Sequence, residues 1–374
     1  MPDHHDALEQ LNKRLSLTDK LVAAHKSLNQ RYPFIARIAV TLYDPETAVL
    51  KTYLNSSNDE NPIEHYQTLI DDAPSLKKLL DEGLPRVINN LLTFDDGEEY
   101  TARIGRKGYA ASYTLPMFNE GVFFGFIFFN SIEKNVFTEH VLSQIDVYAH
   151  MISLMVINEF SAVKTLTAAI KTTGHITHCR DPETGSHLDR MSRYSLIIAN
   201  AIAEKYDLND EYIQHIFMFS PLHDIGKIAI PDNVLLSPNK LEEYEMEVMK
   251  THSRKGREII DDMIKNFGLQ SIEHVDVLRN IAEYHHEAVN GTGYPDGKVL
   301  DEIPLEARIV AVADVFDALT SRRPYKDAWT NKLAIAKLQQ LAGEKLDKDC
   351  VEALLDNMDE VVRIQKQFIE NPFG

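Results

Sequence analysis

A chain of 374 residues with a formal charge of −18 is too long for one ordinary core and, repelling polyanions at long range, is not built to seek a DNA or RNA polymer. Its 44% hydrophobic and 26% charged residues are those of a globular protein. No uninterrupted apolar run reaches the roughly eighteen residues of a bilayer span, and the polar start Met1-Pro2-Asp3-His4-His5-Asp6 lacks a secretory core, so the expectation is a cytoplasmic protein with no membrane partner.

From about residue 7 to 30, Leu8, Leu11, Leu15 and Val22 recur at helical spacing, with Thr18 interrupting the stripe, and predict an amphipathic leading helix. Segments 35–43, 49–54, 113–117 and 122–130 have β character and are separated by turns such as Asp44-Pro45-Glu46 and Asn119-Glu120-Gly121. They predict an antiparallel sheet whose clearest hairpin joins the last two segments. The aromatics Tyr43, Tyr53, Tyr109, Tyr113 and Phe118 read as core and hairpin packing rather than a ligand pocket.

Residues 138–171 keep a near-heptad pattern through Leu142, Ile145, Ala149, Ile152, Phe160, Val163, Leu166 and Ile170, without Pro or Gly. One reading is a last helix packed on its own sheet; the other, preferred here, is a shared helix that pairs two copies and carries a signal onward. Apolar positions keep helical period almost to the C-terminus, broken by polar loops at 207–210, 237–240 and 290–303. The predicted architecture is therefore multidomain α+β: a sheet-and-helix domain over 1–158, a connecting helix over 138–172, and an all-α domain over 159–374.

Residues 20–158 resemble a GAF domain, a small α+β sensory module. The resemblance is carried by the strand order, by Ser112-Tyr113-Thr114-Leu115-Pro116-Met117, by the strand containing Gly125, and by Phe137-Thr138 opening a final helix. It implies a regulatory role and names no effector.

Chemistry gathers in the second half, where nine of the fifteen histidines fall between His175 and His286. The pair His223-Asp224 sits in an apolar helical context; adjacent side chains on a helix diverge by about 100°, so they cannot pair with each other but can both reach a cation between them. Upstream, Glu183 and His187 are four residues apart, on one face if that segment is helical. Downstream, His252 is expected to end a helix starting near Leu241, His285-His286 forms a second adjacent pair, and Asp314 lies in the apolar run 308–314. A carboxylate there is costly to bury without a counter-charge, which a metal cluster supplies.

The two cysteines, Cys179 and Cys350, are far apart and without a CxxC spacing, so neither a disulfide framework nor a thiolate zinc site is supported. An imidazole and carboxylate set without thiolate suits iron, manganese or another first-row divalent ion. His187, His223, Asp224, His252, His285, His286 and Asp314 are enough for two ions sharing Asp224, and Glu183 could complete a third.

At these residues the chain, over about 160–345, resembles an HD-GYP domain, a branch of the HD phosphohydrolase superfamily whose members typically hydrolyse cyclic di-GMP. The matching stretches are Glu183-Thr184-Gly185-Ser186-His187, His223-Asp224-Ile225-Gly226-Lys227, Met249-Lys250-Thr251-His252, His285-His286-Glu287, Gly291-Thr292-Gly293-Tyr294-Pro295, and Asp314 to Thr320 running into Arg323-Pro324-Tyr325-Lys326. The resemblance implies one ion on His187, His223, Asp224 and Asp314, and another on Asp224, His252, His285 and His286. It implies that the Gly293-Tyr294-Pro295 loop borders the substrate cleft and meets a signalling partner, and that Arg323 and Lys326 contact guanine or phosphate.

Lys227, one turn beyond the His-Asp pair, is expected to stabilise developing phosphorane charge. Where relatives usually carry Arg-Trp-Asp, this chain reads Ala288-Val289-Asn290, which puts substrate preference in doubt. The leading expectation is hydrolysis of cyclic di-GMP to linear pGpG, with GMP as a further product. The alternatives are another 3′,3′-linked dinucleotide such as cyclic GMP-AMP, or a silent receptor that binds without cutting.

Overall fold

In the computed structural model the first half of the chain forms a sheet whose central strands are buried along most of their length. The structure describes residues 6–13, 15–58, 65–91, 93, 104–177, 185–266, 274–321 and 328–369, with the backbone alone for 162–177 and 185. It divides into two units, Met1–Ser161 and Ala162–Gly374.

In the first unit, strands β1 (Ile35–Asp44), β2 (Val49–Ser57), β3 (Gln67–Leu69), β4 (Arg86–Ile88), β5 (Ala111–Asn119) and β6 (Val122–Ser131) form an antiparallel sheet in the order β3-β2-β1-β6-β5-β4. The predicted hairpin is present: Asn119 faces Val122, and the two turn residues Glu120 and Gly121 have φ of 52° and 82°, the positive values such a turn requires. A Cβ on Gly125 would overlap the Thr41 carbonyl of β1, so β6 can lie this close only with glycine there. The short edge strands β3 and β4 were not foreseen, because three residues are too few to display alternation.

The leading helix is shorter than its apolar stripe suggests. Leu8 and Leu11 belong to a 3₁₀ turn over Glu9–Asn12 and its flank, and the α-helix runs Leu17–Arg31. Ser16 sets this start, since its hydroxyl accepts the Asp19 backbone N–H at 2.7 Å.

The helix Glu139–Thr177 buries Ile145, Ala149, Ile152 and Val156 within the first unit, and Tyr148 and Asp146 reach Ser27 and Tyr113 by hydrogen bonds. Its portion Glu139–Ser161 is long and apolar enough to cross a membrane by length and composition. The requirement of an unbroken apolar run passed it over. Ring contacts pair Tyr43 with Phe123, Tyr53 with Phe160, Tyr113 with Phe129 and Phe118 with Phe123, so these aromatics pack as expected.

In the second unit the described residues form helices and, beyond two isolated bridges, no strand. The helix Leu305–Thr320 is central: Ile309, Val310, Val312, Ala313 and Phe316 are buried, as expected of a helix apolar on nearly every side. It packs on the helices Gly185–Tyr206 and Val275–Tyr284. The three therefore hold the ends from which the polar cluster projects.

Candidate metal centre

Each polar residue of the cluster comes from the end or edge of a different element. His187 lies in the first turn of Gly185–Tyr206, Asp314 on Leu305–Thr320, and His285-His286 directly after Val275–Tyr284. His223 and Asp224 do not sit on an α-helix as expected; they join two 3₁₀ segments, Ser220–Leu222 and Ile225–Ala229. This tighter path brings His223 Nε2 to 3.3 Å from Asp224 Oδ2, an approach that two neighbours on a regular helix would not make.

His252 does not end a helix either. The helix Glu243–Lys250 stops, Thr251 turns the chain, and His252 opens the next helix, His252–Asn266. Gly226 then seats the His-Asp segment against that start, because a Cβ there would overlap the His252 carbonyl.

The result is two adjoining groups whose ligand atoms lie within 4.8 Å of one another: Asp224, His252, His285 and His286 in one, His187, His223 and Asp314 in the other. They meet where His223 Nε2 stands 3.3 Å from Asp224 Oδ2; within the first group Asp224 Oδ1 lies 3.1 Å from His252 Nε2 and 3.6 Å from His285 Nε2, and within the second His223 Nε2 lies 4.0 Å from Asp314 Oδ1.

Hydrogen bonds on the far ring nitrogens fix the tautomers. The Nδ1–H groups of His223, His252 and His285 donate to the carbonyls of Ser220, Met249 and Ile281 at 3.0, 2.8 and 2.9 Å. Each Nε2 therefore carries the lone pair. Nε2 of His252, Nε2 of His285 and Oδ1 of Asp224 are buried with no aligned hydrogen bond among the described residues. Buried polar atoms left so are expensive, and these share one focus. The donor set fits divalent metal ions.

Electrostatics agree. Burial keeps His285 and His286 below their ordinary value, His286 strongly so, hence both are neutral and able to coordinate. Burial opposes ionisation of Asp224, but the Lys227 charge, with the His223 and His252 rings beside the carboxylate, outweighs it and holds the carboxyl well below the usual range. Lys227 Nζ lies 2.7 Å from Asp224 Oδ2.

The loop residues are also in place. The Tyr294 ring lies 4.7 Å from that of His286 and 6.2 Å from that of His252. Gly293 is obligatory, since a Cβ would overlap the Ala288 nitrogen and the Glu287 backbone. Asn290 ties the departing segment into a turn, its Oδ1 accepting the backbone N–H and hydroxyl of Thr292 at 3.1 and 2.7 Å. Glu183, Arg323 and Lys326 lie outside the described residues.

Residues 182–350 match the HD domain family. This match lies within the second unit. Over 189 residues the chain is 49% identical to the cyclic di-GMP phosphodiesterase response regulator RpfG of Xanthomonas campestris pv. campestris, covering 50% of this chain and 47% of that protein. Over 254 residues it is 33% identical to the 3'3'-cGAMP-specific phosphodiesterase 2 of Vibrio cholerae, covering 64% and 47%. The chain thus spans about half the length of the curated relatives it matches. Among solved structures, the GAF domain of a phosphoenolpyruvate-protein phosphotransferase from Coxiella burnetii aligns at TM-score 0.36 and 10% identity, covering 41% of this chain and 90% of that one.

Two polar residues of the matching stretches have roles that the sequence reading did not assign. Asp317, fully buried, accepts from His187 Nδ1 at 2.8 Å and from Arg190 Nε and Nη2 at 2.7 and 2.9 Å, so it orients an imidazole of the cluster. Its signal was present: it lies three residues after Asp314, on the same helical face. The other is Glu287, whose buried carboxylate accepts backbone N–H groups of the loop beyond Tyr294.

Proposed function

We propose that the second unit is a metal-dependent phosphodiesterase that opens a cyclic dinucleotide, with cyclic di-GMP as the first substrate. One observation carries this: the buried imidazoles of His187, His223, His252 and His285, each locked through Nδ1, converge with His286 and carboxylates on adjoining groups that meet at Asp224. Relatives bearing the names cyclic di-GMP phosphodiesterase and 3'3'-cGAMP-specific phosphodiesterase support the substrate class.

His187, His223, Asp224 and Asp314 would hold one divalent ion, and Asp224, His252, His285 and His286 another, with iron or manganese best suited to these donors. Glu183 is the residue for a third. Ions held so supply Lewis acidity, activating water for attack on the phosphodiester and neutralising charge on its oxygens.

The chain's own groups do the rest. Asp317 and the three carbonyls keep the imidazoles aimed and fix which ring nitrogen faces the cluster. Lys227 brings a cation to the edge where phosphoryl charge grows. Tyr294 offers a ring to a base, Gly293 and Pro295 shape its loop, and Arg323 and Lys326 contribute positive charge for guanine or phosphate.

Residues 1–158 act as the sensory part, the helix over 138–172 pairs two copies, and the loop around Tyr294 meets a signalling partner, with the protein at work in the cytoplasm. The second relative supports cyclic GMP-AMP as the competing substrate.

The test is anaerobic reconstitution with iron or manganese, incubation with both dinucleotides, and identification of linear and mononucleotide products. Asp224→Ala should remove bound metal and reduce turnover by about a thousandfold or more while circular dichroism stays helical. Undiminished turnover in that variant would reject the site.

A further inference from the structure

The carboxylate of Glu287 touches none of the groups that converge on Asp224, yet it is 5% exposed and immediately follows His286. Its Oε1 accepts the backbone N–H of Asp296 at 2.7 Å and of Gly297 at 3.1 Å, and its Oε2 accepts that of Lys298 at 3.0 Å. Three donors on an ionised carboxylate are stronger than the same bonds to a neutral acceptor. They also engage both oxygens.

The other end of this segment is fastened as well. The Tyr294 backbone N–H donates to the His286 carbonyl at 3.2 Å, and Gly293 lies against Ala288 and Glu287 with no space for a side chain. Residues 293–298 are therefore folded back onto 286–288 at both ends, with the Tyr294 ring between the fastenings and against His286. Side-chain links to other segments are looser: Arg254, 60% exposed, pairs with Asp296, and the ammonium groups of Lys250 and Lys298 lie 5.8 and 5.0 Å from the rings of Tyr294 and Tyr284.

We propose that Glu287 is a positioning residue for substrate: by clamping the N–H groups of residues 296–298 it holds Tyr294 as one wall of the cleft beside His252 and His286, where a purine base of the dinucleotide meets the ring. This rests on the phosphodiesterase reading above. It assigns Glu287 to binding of the base and not to the metal ions or the chemical step. An aromatic face suits any base, because every base presents a π-face that can stack on it.

The carboxylate is specifically required. Glutamine can present its one carbonyl oxygen to the N–H groups of Asp296 and Gly297, but its amide nitrogen would then face the Lys298 N–H, donor against donor. Glu287→Gln is thus the mild variant and Glu287→Ala the severe one.

The experiment uses the full metal-loaded chain and two readouts. Hydrogen exchange of the peptide containing residues 296–298 should quicken in Glu287→Ala and to an intermediate degree in Glu287→Gln, with metal content as in the parent. For cyclic di-GMP, Glu287→Ala should raise KM about tenfold and lower kcat less than about threefold, as loss of a binding wall predicts. Tyr294→Ala should raise KM alike, and the double variant should add nothing further.

Unchanged exchange in Glu287→Ala overturns the clamp. A KM increase that adds in full to that of Tyr294→Ala, or a fall in metal content in Glu287→Gln, overturns the route through Tyr294. If the parent protein turns over no cyclic dinucleotide the phosphodiesterase reading falls, and the substrate role of Glu287 with it, whereas the exchange result still decides the clamp alone.

Discussion

His25 in the first unit and His285 in the second are buried to 3% and 2% exposure, and burial pushes the imidazole of each below its ordinary value. Burial and titration therefore do not tell them apart. The hydrogen bonds do. Both ring nitrogens of His25 are engaged, Nδ1 with Ser56 Oγ at 2.8 Å and Nε2 with the Ile35 carbonyl at 3.0 Å. His285 engages Nδ1 alone, and its Nε2 faces Asp224 without an aligned bond.

Neighbouring polar groups repeat the contrast. In the first unit, Arg37 donates to Asn55 and Asn130, and Asn130 donates to Ser112, so these side chains satisfy one another. In the second, those of the cluster converge and leave acceptor atoms over. A buried histidine with one nitrogen committed and the other aimed at further donors is the better mark of a ligand site.

The largest expected effect breaks the comparison at its firmest point. Asp317→Asn removes the charge that faces Arg190 and His187, leaving a buried cation poorly compensated, which costs about 3 kcal/mol of stability. It should also weaken metal binding by about 10–100-fold, since His187 loses its orienting carboxylate. Chemical denaturation and metal titration measure the two. Parent-like metal affinity would show that Asp317 is structural only.

His25→Asn in the first unit is the matched control. It opens a polar gap between the helix Leu17–Arg31 and β1 and should cost about 1–3 kcal/mol while metal content stays unchanged. If metal is lost as well, the distinction between committed and open histidines fails.

What the sequence makes legible follows the range of each interaction. The Asn119-Glu120-Gly121 hairpin and the strand pattern depend on near neighbours, and residue types at the cluster declare their chemistry without their geometry. The break at Thr251 stayed hidden because one helix ends and another begins with no Pro or Gly between them. The 3₁₀ path around His223 was equally hidden, since it depends on Gly226 meeting the His252 carbonyl from another helix. Asp317 shares a helical face with Asp314, a local signal, but its partner His187 is 130 residues away and that spacing does not name it.

The smallest effect concerns a half-buried histidine that belongs to neither class. His274 sits in the second unit with its ring 5.0 Å from that of His215 and 5.8 Å from that of Tyr212, whose hydroxyl donates to Glu306. Burial, aided by the His215 charge, lowers it from 6.5 to about 4. Between those values the unfolded chain binds a proton that the folded chain refuses, so stability falls as pH drops from 6.5 toward 4 and is flat above. Screening at a half-buried ring reduces the contribution to about 1 kcal/mol. His274→Asn isolates it, because asparagine tolerates the φ of 56° there and carries no titrating group. Melting curves across that pH range should show a shallower slope in the variant with metal content unaltered. A slope equal to that of the parent would mean that the acid sensitivity resides in the cluster around Asp224 instead.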